Sequence, residues 1–302
     1  MASVATATFA DRLAEAVERK RSQLVVGLDP RLEMLPVELR GESVLGRGEA
    51  ANAYARFCCG IIDAVAPYVV AVKPQIAFFE ILGSDGFAAL ERVCGYARAA
   101  GLLVIADGKR GDIGSTARAY AAAFLEPRED DPPLADALTV NPYLGGDSVE
   151  PFLQACRLHG AGIFCLVRTS NAGATDIQEL TLSDGRRVWQ QVAELVSGWG
   201  ADLTGERGLS SVGAVVGATA PRVVAEARKL LPRSVLLLPG VGAQGAGPRD
   251  VARAFTSGPA SAIVTASRSV IFAYRGSAED WRSAAGAEAA RLRSEVWSVS
   301  GW

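Results

Sequence analysis

The chain has one histidine, His159, in 302 residues. Ser-His-Asp chemistry or a histidine-rich zinc site would have to run through it. It stands in Cys156-Arg157-Leu158-His159-Gly160, where a helix is expected to end and an imidazole meets the negative end of the helix dipole. Catalytic groups are therefore sought among carboxylates, lysines and backbone amides. Cysteine is scarce too. Cys58, Cys59, Cys94, Cys156 and Cys165 are too few for a disulfide scaffold, and none is spaced as C-x-x-C. They read as buried thiols in a reducing cytoplasm. No apolar run reaches the roughly 18 residues of a membrane span. Residues 1–5 lead quickly into a charged amphipathic stretch, so neither a membrane anchor nor a signal peptide is expected. A formal net charge of −2 without a basic stripe argues against a nucleic-acid partner. A 49% hydrophobic composition excludes a disordered chain.

Eight short apolar runs recur along the chain, at 24–28, 69–72, 102–106, 137–140, 162–167, 212–216, 235–238 and 262–265. Near-continuous apolar runs of this length suit parallel strands buried on both faces. Helical spacing fills the intervals, at 48–66, 86–100, 115–125, 147–159, 186–199, 221–231, 248–256 and 278–297, with an amphipathic lead-in at 8–20. Eight strands alternating with eight helices predict an α/β fold, a (β/α)8 TIM barrel with an extra N-terminal helix. No linker divides the chain, so a single domain over 1–302 is expected. A doubly wound open sheet remains the alternative, because periodicity does not show closure. The stretch 126–133 (EPREDDPP) reads as a surface loop, 169–184 as an extended loop after the fifth strand. The five tryptophans read as packing for the outer helices.

In a barrel, function collects where strands end. The third strand ends in Asp107-Gly108-Lys109-Arg110-Gly111-Asp112. Asp107 and Lys109 are two apart, so an extended strand points them the same way. Asp112 follows where a helix starts, and Lys73 ends the neighbouring strand. A Lys–Asp–Lys–Asp array would keep the lysines protonated and the carboxylates ionised. A solvated ion-pair network at a strand end is the other reading. The seventh strand ends in GVGAQG, formally G-x-G-x-x-G. A dinucleotide fold places that motif after its first strand, with an acidic residue about 20 positions on; here that position is Thr265. The loops after strands seven and eight of a barrel commonly hold phosphate, and Gln244 and Arg268 would supply side-chain donors. Glycine for a tight turn and a surface arginine are the alternative.

Together the segments LVVGLDPRLEMLP, VAVKPQIAFFE, IADGKRGDIGSTA, TVNPYLGGDS, LVRTSNAGA, PGVGAQGA and TASRSVI resemble orotidine 5'-phosphate decarboxylases. NPYLGGDS and RTSN are closest to the longer, mycobacterial-like type. The resemblance runs over about residues 24–271. It implies decarboxylation of orotidine 5'-phosphate to uridine 5'-phosphate (UMP) and CO2, the last step of de novo UMP synthesis, without metal or organic cofactor. By the same resemblance, Asp29 and Lys73 bind the ribose and Asp107 sits beside the substrate carboxylate. Lys109 protonates C6, Ser170 contacts the pyrimidine, and Gln244 and Arg268 hold the phosphate. Asp112, with Ile113 and Thr116, would reach into the neighbouring site of a homodimer. A magnesium-dependent sugar-phosphate decarboxylase sharing Asp-x-Lys-x-x-Asp, or a non-catalytic phosphate-ligand sensor, stands as the alternative.

Overall fold

Val25 in strand β1 (Leu24–Leu28) pairs on one side with Ala71 of β2 (Ala71–Pro74) and on the other with Thr265 of β8 (Ala262–Ala266). The second pairing closes the sheet. Between them run β3 (Leu103–Arg110), β4 (Ala137–Val140), β5 (Gly162–Arg168), β6 (Ser210–Val216) and β7 (Ser234–Pro239), all parallel and in chain order. This is the (β/α)8 barrel expected from the apolar runs, and the open-sheet alternative is excluded. The computed structural model describes residues 7–41, 45–129, 131–218, 220–240, 247–275 and 279–302.

The period of two along each strand sorts the side chains into two cores. One lies between sheet and helices, with Leu24, Val26 and Leu28 against Phe57, Ile61 and Trp281. The other fills the barrel, with Val25, Ala71, Ile105, Ala137, Phe164, Val235 and Ile263. Residues two positions further along three of these strands, Lys73, Asp107 and Thr139, point into the same interior nearer the C-terminal mouth. The N-terminal helix, Phe9–Lys20, closes the opposite end. Its Phe9 ring meets Phe164 edge-on at 5.8 Å. Gly162 makes room for that ring, since a Cβ there would lie 2.3 Å from it. Thr8 caps the helix through the Asp11 N–H, and Arg12 forms an ion pair with Asp136 just before β4. A sealed floor leaves one open end, and the chemistry is confined to it.

The outer helices include Arg47–Val65, Gly83–Ala99, Gly114–Leu125, Gly146–His159, Val188–Trp199, Pro221–Leu230 and Trp281–Ser300. His159 does occupy a last helical turn, ended by left-handed Gly160. Trp189 and Trp281 are buried and Trp199 and Trp297 half-buried, as expected of packing residues, whereas Trp302, beyond the last helix, is 58% exposed. Some boundaries differ from the sequence reading. The second strand runs over Ala71–Pro74 rather than 69–72, and the third continues through its charged residues to Arg110. The segment Pro248–Phe255 winds as a tighter 3-10 helix. Among the described residues, no helix is long and apolar enough to cross a membrane.

Candidate active site

Lys73 and Asp107 are both 6% exposed, charged groups buried at the inner mouth of an apolar barrel. Neither would be tolerated there alone. The Lys73 ammonium forms an ion pair with Asp107 Oδ2, and Lys109 Nζ lies 2.5 Å from Asp107 Oδ1. Two neutral groups complete the shell. Gln75 Nε2 donates to Oδ2 at 3.2 Å, and Thr139 Oγ1 donates to Oδ1 at 3.1 Å. Burial would raise the Asp107 carboxyl, but the two ammonium groups outweigh it and hold the carboxyl well below the usual range. Burial would likewise strip the proton from Lys73, yet Asp107 and Asp29 hold its affinity above the ordinary lysine value. Three members of the expected array are therefore assembled, with Asp107 and Lys73 held in their charged forms.

They do not meet because β3 is a regular strand. Ala106 pairs with Leu138 and Arg110 with Val140, so Asp107, Gly108 and Lys109 together face Thr139. Lys109 has φ +46°, in the left-handed region that a side chain rarely adopts. The bulge, rather than simple alternation, turns Lys109 back toward Asp107. Beyond it the chain is anchored outward. Arg110 forms an ion pair with Glu80, and its guanidinium lies 5.3 Å from the Tyr120 ring centre and 5.6 Å from that of Phe124.

These groups line a cavity of ≈ 430 Å³ with Leu166, Thr169, Ser170, Asn171, Gln178, Val215, Leu237 and Pro239. One wall is charged and the opposite wall is apolar and amide-bearing, a form suited to a flat polar ring. Ser170 packs down on Gly217 at the top of β6, where a Cβ would come within 2.9 Å of the Ser170 Cβ. Gln178 holds the loop by exchanging two 2.8 Å hydrogen bonds with Thr169, through its N–H and its hydroxyl.

Asp29, Asp112, Ile113, Thr116 and Arg268 are not among the residues that line this cavity. Asp29 is at the end of β1, with Oδ1 buried and lacking a hydrogen-bond partner among the described residues. Arg268 opens the short helix Arg268–Ile271 after β8 and is exposed. Gly240, at φ +108°, begins the loop after β7, and Gln244 lies outside the described residues. Asp112 makes no ion pair among the described residues; its Oδ1 accepts the Ile113 N–H at 2.7 Å. Ile113 is 58% exposed, and Thr116 is also exposed. Among the described residues, no group of three or more His, Cys, Asp or Glu side chains is placed to hold a metal ion.

Residues 22–283 match the model of the orotidine 5'-phosphate decarboxylase / HUMPS family. The chain belongs to this family. An orotidine 5'-phosphate decarboxylase of Rhodopirellula baltica is 51% identical over 271 residues, 89% of each chain. One of Deinococcus radiodurans is 46% identical over 268 residues, 89% of this chain and 90% of its own. The crystal structure of a protein from Streptomyces avermitilis provisionally described as an orotidine 5'-phosphate decarboxylase superposes with a TM-score of 0.82 at 37% identity, covering 100% of this chain and 99% of that one. The decarboxylase activity of these relatives, conversion of orotidine 5'-phosphate to UMP and CO2, is the activity of this chain. It makes the enzyme a carboxy-lyase of pyrimidine nucleotide synthesis.

Two donors to Asp107, Gln75 and Thr139, have no role in the sequence analysis. Gln75 stands two residues after Lys73, inside the segment VAVKPQIAFFE. Thr139 was counted only as part of an apolar run, although a hydroxyl buried on both sides must find partners.

Proposed function

We propose that this decarboxylase works without metal or organic cofactor, through the charge array around Asp107. Orotidine 5'-phosphate has no carbonyl β to the scissile carboxylate to take up electrons. When the C6–carboxylate bond breaks, the electron pair stays at C6 as CO2 departs. Lys109 supplies fixed positive charge where that pair develops, then transfers its Nζ proton to C6. Asp107 lies against the leaving carboxylate and holds the buried Lys73 charged. The observation that carries this reading is the fully ligated Asp107, bound by a buried Lys73 and by a Lys109 whose side chain remains 47% exposed to the cavity.

Further roles follow the same reading. Asp29 and Lys73 take the ribose, which gives the unpartnered Asp29 oxygen a hydroxyl to accept from. Ser170 takes the pyrimidine, and Gln244 and Arg268 the phosphate, whose binding energy can be used to close loops over the site. Asp112, Ile113 and Thr116 serve the second site of a homodimer. An Asp112 without an ion pair among the described residues, beside an exposed Ile113, supports that assignment. The chain is read as one domain over 1–302, of the longer mycobacterial-like type, working in the cytoplasm on a nucleotide. Loss of orotidine 5'-phosphate absorbance at an unchanged rate in excess chelator is the expected result. Loss of turnover on chelation, restored by magnesium, would overturn cofactor independence.

A further inference from the structure

Thr139 is 1% exposed and projects from β4 into the barrel interior. It stands alone opposite the three bulged residues of β3. Inside that bulge the Lys109 N–H has lost its place in the strand ladder. The Thr139 hydroxyl replaces it, accepting from Lys109 N at 2.9 Å and donating to Asp107 Oδ1 at 3.1 Å. The direction of both bonds is fixed. The amide can only donate and the ionised carboxylate can only accept, so the hydroxyl proton must point at Asp107. One side chain thus ties the main chain of Lys109 to the carboxylate that its ammonium also reaches.

We propose that Thr139 is a positioning residue for decarboxylation, holding Lys109 in its left-handed backbone conformation so that Nζ is presented to the cavity from the Asp107 side. The proposal rests on the reading of Lys109 as proton donor. The left-handed conformation is disfavoured for lysine, and Gly108 next to it gives the bulge freedom to relax. Without the hydroxyl, the Lys109 amide lacks its partner, the segment returns toward an extended path, and the ammonium leaves its line to C6. Thr139 need not touch the substrate for this. Its removal therefore acts on the chemical step and leaves nucleotide affinity in place.

The test compares Thr139→Val and Thr139→Ser with wild type and Lys109→Ala on orotidine 5'-phosphate, with UMP binding as the check on folding. Valine keeps the branched shape and loses both hydrogen bonds; serine keeps both. Thr139→Val is expected to lower kcat roughly 10- to 100-fold, as small misplacements of catalytic groups do. KM should stay within about threefold, and Thr139→Ser should remain within about threefold of wild type in both. In the Lys109→Ala background, Thr139→Val should add no further loss. Thr139→Ala serves as second hydroxyl-free variant if valine does not fold. Hydroxyl-free variants with wild-type kcat, or a serine variant as impaired as valine, would overturn the role of Thr139 alone. A wild type without turnover, or a fully active Lys109→Ala, would overturn the underlying reading as well.

Discussion

Lys109 and Asp107, two residues apart on one strand, form their 2.5 Å ion pair across a bulge that puts Lys109 at φ +46°. Backbone strain at this point serves the site, because it folds a half-exposed ammonium back over a buried carboxylate. Asp107 is then the hub on which two cations converge, and the barrel interior below it is apolar and sealed. A fixed positive field at the mouth of a low-dielectric barrel is what a carbanion-forming reaction requires.

The shared-site reading predicts complementation. Asp107→Asn and Asp112→Asn should each be nearly inactive alone. In a mixed dimer one site carries both lesions and the other none. Random pairing makes half the dimers mixed, so co-refolded variants should recover roughly a quarter of wild-type activity. Mixed dimers verified by mass spectrometry, yet inactive, would place Asp112 in the site of its own chain.

For the phosphate, Arg268→Ala should weaken binding of UMP far more than binding of uridine, since a guanidinium fork acts on the charged group. Calorimetry with both ligands decides this. Equal weakening would make Arg268 structural.

Stability should depend on a different arginine. Arg228 is 4% exposed, and its guanidinium donates to the carbonyls of Ala254, Leu231, Ser234 and Ser261 at 2.5–3.0 Å. It ties the helix Pro221–Leu230 to the segments entering β7 and β8. Arg228→Met should strand several buried acceptors, at about 1–3 kcal/mol each and less than additively, for a total of at least about 3 kcal/mol. Urea denaturation measures it; a loss under about 1 kcal/mol would show that the carbonyls find other donors.

Titration of the array has a definite sign. Burial pushes the Asp107 carboxyl up, but Lys73 and Lys109 pull it further down, below its ordinary 3.8. Its contribution to stability is therefore complete above 3.8 and lost as the pH falls below that value. For Lys73, whose affinity for its proton is raised above 10.5, the contribution is complete below 10.5 and lost at higher pH. The Asp107 carboxyl carbon resonance should stay that of an ionised group from about pH 8 to about pH 4. A titration midpoint inside that window would contradict the ion-paired arrangement.

The sequence was most legible where one physical rule acted alone. Runs such as LVVGL and ALTV had to be buried strands, and both begin and end where expected. Closure of the barrel was invisible to periodicity because it depends on Leu24 meeting Val264, a contact between distant parts of the chain. The third strand was cut short at Ala106 because charge was taken as its end, whereas a barrel mouth tolerates Asp107 and Lys109 on strand backbone. The convergence of Lys73, Asp107 and Lys109 was foreseen, but through regular alternation rather than a bulge. Thr139 was hidden because its only signal was one hydroxyl among apolar neighbours. The assignment of Asp112 to a neighbouring site comes only from the family resemblance, since its hydrogen bond from the Ile113 N–H is local.

The central claim is that the Lys109 ammonium both stabilises the charge at C6 and delivers the proton. It is tested most directly by kcat/KM of purified Lys109→Ala on orotidine 5'-phosphate, with retained UMP binding as proof of folding. The account predicts a loss of at least about a thousandfold, since an electrostatic stabiliser and an acid are removed together. Activity within about tenfold of wild type would contradict it.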